Sequence, residues 1–149
     1  MKIVRSLLLV ATVLSLANVT LAGDSVSYEI RDKGVRLIVE VTRTATALLV
    51  INHSSSDVTI RPSDILFTTK GKQFSPCTFF RMSLFGLGSP GVAATINKGE
   101  QDGLVLGGRA DVGASGCENP VAQLVVPLNI SIEINHRKLQ LVAAPRPDP

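Results

Sequence analysis

Val35-Arg36-Leu37-Ile38-Val39-Glu40-Val41-Thr42 is the stretch that decides the fold. Val35, Leu37, Val39 and Val41 fall on one parity, and Arg36, Ile38, Glu40 and Thr42 on the other. A period of two sends alternate side chains to opposite faces, so this run predicts a half-buried β-strand. Val26, Tyr28 and Ile30 repeat the pattern just upstream, with Asp32-Lys33-Gly34 as the turn between. Ala45 to Ile51 is almost wholly apolar or Thr, which suits a central strand covered on both faces.

The same punctuation continues along the chain. Asn52 to Asp57 is a polar cluster whose side chains can bond the backbone in place of a ladder. Val58 to Arg61 resumes extended structure up to Pro62, and Ile65–Thr69 and Gln73–Ser75 flank a Lys70-Gly71-Lys72 hairpin turn. Thr78 to Phe85 is apolar and expected to be extended. Gly86 to Gly91 (Gly-Leu-Gly-Ser-Pro-Gly) is expected to be a loop. Val92–Ile96 and Gly103–Leu106 are short strands around the Asn97-Lys98-Gly99-Glu100 turn, and a Gly-rich loop from Gly107 to Asn119 follows. Val121–Leu128 and Asn129–Ile134 are strands separated by a bend near Pro127, and Asn135–Lys138 turns the chain onto Leu139–Val142. Helical periodicity is nearly absent. About nine short strands with regular turns predict an all-β antiparallel sandwich. A closed barrel around a ligand cavity is the competing architecture.

The N-terminus sets the compartment. Lys2 and Arg5 precede an apolar run from Leu7 to Leu16, and small residues stand at Ala17 and Ala22. This is the layout of a secretory signal peptide, with cleavage after Ala22 preferred over Ala17. The run is shorter than the roughly 20 residues that span a bilayer. The expected organisation is a signal peptide over 1–22, a β-sandwich domain over 23–142, and a disordered Pro-rich tail over 143–149. The mature form is expected in the periplasm or outside the cell, without a membrane span. Removing residues 1–22 takes two cations and no acid, so the formal charge falls from +3 to +1. The remaining charges are scattered, which argues against nucleic acid as a partner. In an oxidising compartment the even pair Cys77 and Cys117 predicts one disulfide. Closing a loop of about 40 residues is worth roughly 4 kcal/mol in the chain-entropy picture.

Leu48-Leu49-Val50-Ile51-Asn52, then Ser54 to Ile60, then Ile65-Leu66-Phe67 and Gly71, then Ile96-Asn97-Lys98-Gly99-Glu100 with Gly103 after it form a recurring turn-and-strand pattern. It resembles small bacterial extracytoplasmic immunoglobulin-like domains, in which a strand, an Asn, a small polar turn and a strand are followed by a Gly-Glu turn. The resemblance covers about half the mature chain. It implies an immunoglobulin-like sandwich with an accessory or binding role and no catalytic residues to carry over.

Catalytic sets are missing. Nucleophilic catalysis needs a base beside the nucleophile. His53 lies in a Ser-rich turn and His136 in the last hairpin turn, where exposed positions are expected. Neither the His and Cys spacing nor Asp102 with Asp111 forms a recognisable metal set. Glu29, Glu40 and Glu133 alternate with apolar residues and are expected on solvent faces. No enzyme activity, metal or cofactor is therefore expected. Two sequons, Asn52-His53-Ser54 and Asn129-Ile130-Ser131, fall within the mature chain.

The densest apolar segment runs from Cys77 to Leu87. Phe79, Phe80, Met82, Leu84, Phe85 and Leu87 crowd into it, beside the expected disulfide. Such a segment suits a contact surface for another extracytoplasmic protein, and equally the cap of a sandwich end. The leading expectation is a non-enzymatic binding or accessory module acting through sheet edges and this apolar loop. The alternatives are a small-ligand or metal carrier of β-barrel type, and an inhibitor or immunity protein of an envelope enzyme.

Overall fold

The computed structural model describes residues 25–42, 45–69, 71–107 and 129–143. The signal peptide over 1–22, Cys117, Asp111, the Val121–Leu128 strand and residues 144–149 of the expected tail lie outside the described residues.

The described chain is all-β, as expected. It forms twelve strands: β1 (Val26–Asp32), β2 (Val35–Val41), β3 (Thr46–Asn52), β4 (Val58–Ile60), β5 (Ile65–Thr69), β6 (Lys72–Phe74), β7 (Thr78–Ser83), β8 (Gly86–Gly91), β9 (Ala94–Ile96), β10 (Gln101–Gly107), β11 (Asn129–Ile134) and β12 (Arg137–Ala143). The three-residue strands β4, β6 and β9 fall in segments expected to be extended, and β8 is a strand that was not expected. β12 runs on to Ala143, the first residue of the expected tail.

Ten strands form one antiparallel sheet in the order β6-β5-β11-β12-β1-β2-β3-β10-β7-β8, and β4 pairs with β9 separately. The opening alternation holds from Val35 to Val39 and then breaks: Val35, Leu37 and Val39 are buried and Arg36 and Ile38 half-buried, but Val41 is only half-buried, Thr42 is buried, and Glu40, expected on a solvent face, is 8% exposed. β1 and β2 stay in register from Val26↔Val41 to Asp32↔Val35. Their two-residue turn has Lys33 at φ 45° and Gly34 at φ 84°, the left-handed geometry that matches strand twist. Asn135 (φ 50°) and His136 (φ 61°) make the equivalent turn between β11 and β12. In β3, Thr46, Leu48, Val50 and Asn52 are fully buried, whereas Ala47 and Ile51 are half-buried. The expectation of cover on both faces therefore holds fully for one face only.

Leu37, Val39, Leu48, Val50 and Leu104 from one end of the strand order share a core with Ile65, Phe67, Ile130 and Ile132 from the other. A sheet must curl on itself to bring such strands together. β4 and β9 add Val58, Ile60, Ala94 and Ile96 to the same core. Phe67 and Phe74 stack at 5.4 Å between ring centroids. The two halves of the sheet meet at a narrow seam, where among the described residues β1 and β12 pair at Tyr28↔Ala143 and Glu29↔Val142.

Gly86–Gly91 corrects the sequence expectation: it is strand β8, not a loop. Its place at the end of the strand order explains this. A terminal strand needs ladder bonds on one side only, so Pro90 and the glycines are tolerated there. A register shift between Phe80 and Met82 absorbs the irregularity.

Candidate interaction site

The apolar segment forms the β7–β8 hairpin, and its side chains divide into three groups by where β7 points them. Phe79 is 2% exposed and belongs to the core. This corrects its assignment as a contact residue: it lies on the inward parity of the strand. Phe80 and Met82 take the other parity and are half-buried. They lie over β10, where the Phe80 ring covers Gly107 and the Met82 methyl covers Gly103. A Cβ at either glycine would collide with them, so the glycines are seats for these side chains. Phe80 and Met82 thus anchor the hairpin and present little free surface.

The third group stands in solvent. Ser83 pairs with Gly86, leaving Leu84 and Phe85 as the two-residue turn. The Ser83 hydroxyl accepts from the Phe85 N–H at 3.2 Å and donates to the Gly86 carbonyl at 2.9 Å. Gly86 has φ 109°, a conformation that L side chains rarely adopt. Held this way, Leu84 is 77%, Phe85 99% and Leu87 59% exposed. Burying a side chain of this size is worth about 1.5–3 kcal/mol, and the fold as described does not realise that gain.

Polar contacts brace the hairpin from the side. Arg81 lies 3.2 Å from Asp102 on β10, and its guanidinium donates to the Thr95 carbonyl on β9 at 3.1 Å. Burial pushes the Asp102 carboxyl above its ordinary range, and Arg81 partly offsets this. The Thr78 hydroxyl donates to the Gly91 carbonyl at 2.9 Å. The Cys77 N–H donates to the Gly107 carbonyl at 2.9 Å, which fixes the start of β7 against the end of β10.

A second cluster gathers the turn residues that carried the family resemblance. Asn52 is fully buried. Its amide nitrogen donates to the Ser56 and Ile96 carbonyls at 2.9 and 3.0 Å, and its oxygen accepts from the Ser54 N–H and hydroxyl at 3.0 and 2.6 Å. Its backbone bonds Glu100 and Gly99 at 2.8 and 2.7 Å. Asp57 accepts from the Lys98 N–H at 2.9 Å, and Asn97 donates to Glu100 at 3.0 Å. The β3–β4 and β9–β10 connections are thereby locked together. Sequence reading treated Asn52 as a turn residue and sequon. The signal for burial was its place on the Thr46, Leu48, Val50 parity. Both amide hydrogens are committed, so Asn52 offers no glycan attachment, whereas Asn129 is exposed.

The remaining candidates do not converge. His53 and His136 are exposed residues of separate turns. Among the described residues no three His, Cys, Asp or Glu side chains form a metal-binding group. An open cleft of about 500 Å³ lies at the seam, lined by Tyr28, Thr68, Asn129, Gln140, Leu141, Val142 and Ala143. Its Gln140 amide already donates to the Ile130 carbonyl. No helix among the described residues is long and apolar enough to cross a membrane. Comparison with family models, with curated proteins and with solved structures gave no match to this chain.

Proposed function

We propose that the protein is an exported, non-enzymatic binding module that holds another extracytoplasmic protein through the tip of the β7–β8 hairpin. One observation carries the reading: Phe85 is 99% exposed between Leu84 and Leu87, on a hairpin whose base is pinned by Phe80 and Met82. Large apolar side chains grouped on a braced projection suit insertion into an apolar pocket, where aromatic anchors dominate binding energy. The signal-like layout of residues 1–22 supports export.

The same proposal includes an immunoglobulin-like sandwich and a Cys77–Cys117 disulfide. The single core shared by both halves of the curled sheet supports two facing layers. The bond from Cys77 to Gly107 supports the disulfide, because Cys117 follows Gly107 by ten positions. That length of chain spans any distance up to about 35 Å.

The test is capture from envelope extract with the mature chain as bait. Phe85→Ser is expected to lose the captured protein while changing stability by no more than about 0.5 kcal/mol, as for other exposed positions. Phe80→Ser is expected to unfold more easily, by roughly 2–3 kcal/mol, because it empties the seat on Gly107. Equal capture by wild type and Phe85→Ser, read by quantitative mass spectrometry, overturns the proposal.

A further inference from the structure

The cleft of about 500 Å³ at the β1–β12 seam is built on the outward face of β5, β11 and β12. On β5, Phe67 and Thr69 are buried, so Thr68 takes the outward face. The register Asn129↔Thr68 sets Asn129 beside it on β11. The β11–β12 register, Ile130↔Leu141, carried one step further sets Val142 beside Asn129. Gln140 lies two residues before Val142, on the same face of β12. Neighbouring strands hold such side chains about 5 Å apart, and the next row along a strand lies about 7 Å away. Tyr28 and Leu141, both core residues, close the inner side.

The lining selects a ligand by its chemistry. The volume falls in the range of small-molecule sites. None of the seven lining residues is charged. A phosphate, carboxylate or ammonium group would therefore lose water there without meeting an opposite charge. Thr68 offers a hydroxyl and Asn129 an amide, groups that both donate and accept. The Gln140 nitrogen donates to the Ile130 carbonyl at 3.0 Å, which holds the side chain and leaves its oxygen to accept. Among the described residues, Val142 is the one exposed large hydrophobic side chain outside the 84–92 segment, at 67% exposure. Uncharged polar groups beside an apolar spot match a sugar ring, which carries hydroxyls at its edge and C–H groups on its face. An extended peptide fits less well. β5 and β12 flank β11, so its backbone groups are engaged in ladders and side chains alone read a ligand at this face.

We propose that this cleft binds a neutral saccharide, with sugar hydroxyls bonded to Thr68, Asn129 and Gln140 and a sugar C–H face on Val142. The site belongs to the opposite half of the strand order from the β7–β8 hairpin, and it does not depend on the capture of a protein. Ladders on both sides of β11 hold the polar groups in place before a ligand arrives, which spares the cost of ordering them. The cleft is open, and Tyr28 at 5% exposure gives little ring face for stacking. Binding is therefore weak, with a Kd of about 1 mM.

Nuclear magnetic resonance of the isotope-labelled mature chain, made in a host that leaves Asn129 unmodified, tests this. The probes are cellobiose and the disaccharide of N-acetylglucosamine, each titrated to roughly 20 mM so that a millimolar site fills. With at least one sugar, saturating shifts are expected at the side-chain amides of Asn129 and Gln140 and at the backbone of Thr68 and Val142. Thr68→Val and Asn129→Ala are each expected to weaken binding about tenfold, the loss of one hydrogen bond. Asn129 is exposed, so Asn129→Ala keeps the wild-type melting temperature even where Thr68→Val does not. Absence of shifts with both sugars overturns the proposal, as do shifts confined to other residues or wild-type affinity in Asn129→Ala. Equal shifts with triglycine amide at the same concentration would assign the cleft to peptides and overturn it too.

Discussion

At Asn52 four side-chain hydrogen bonds converge on one fully buried amide, which joins three stretches of chain. Truncation would strand the Ile96 and Ser56 carbonyls and the Ser54 groups, and each buried group left unpaired costs about 1–3 kcal/mol. Asn52→Ala is therefore expected to lose about 3 kcal/mol in urea denaturation. Charged residues act with opposite signs. Arg36 donates two bonds to Glu29, at 2.6 and 3.0 Å, and these hold the Glu29 carboxyl below its usual range. Its stabilising contribution is present above the usual carboxylate range and is lost as pH falls through the lowered folded value. Glu40 is 8% exposed, and burial raises its carboxyl, with a Ser25 hydrogen bond partly offsetting the shift. Its ionised form costs stability at neutral pH, and that cost disappears as pH falls through the raised folded value. Glu40→Gln is therefore expected to melt higher than wild type at pH 7, with the difference shrinking toward pH 4. Circular-dichroism melts across that range check it, and a difference constant with pH would contradict burial as the cause.

Strand elements were legible in sequence where the period of two ran long enough. β1, β2 and the Lys33-Gly34 turn follow directly from alternation and left-handed turn chemistry. β11, β12 and their Asn135-His136 turn do likewise. β8 was not legible, because Gly and Pro normally break strands and only its terminal position makes them acceptable. The contact site was legible as an apolar cluster, but its division was not. Whether Phe80 is an anchor or a free surface depends on Gly107, a residue 27 positions later that pairing with β10 brings beneath it. Gly107→Val tests that seat. The added side chain would meet the Phe80 ring and the Thr78 methyl, neither of which can move aside freely. A loss of about 1–3 kcal/mol is expected, the usual cost of overpacking. Gly103→Ala should cost less, because it meets the flexible end of Met82. Chemical denaturation of both variants makes the comparison.

For the molecule as a whole, the sequence pointed to all-β structure but not to one continuous ten-stranded sheet, since strand order depends on pairings between residues far apart in the chain. β5 meets β11, for example, through Ile65↔Ile132. The proposed Cys77–Cys117 link acts at this scale. If it forms, the unreduced mature chain weighs two hydrogens less than the reduced one, and replacing both cysteines by Ser lowers stability by roughly 4 kcal/mol. Intact mass and denaturation check both outcomes. The seam at β1 and β12 has a consequence in time. Among the described residues β12 is the strand that joins the two halves of the sheet order, and its register with β1 reaches Ala143. The two described halves of the sheet therefore join at this seam only when residues 142 and 143 are free to pair with β1, however early the first hairpins form.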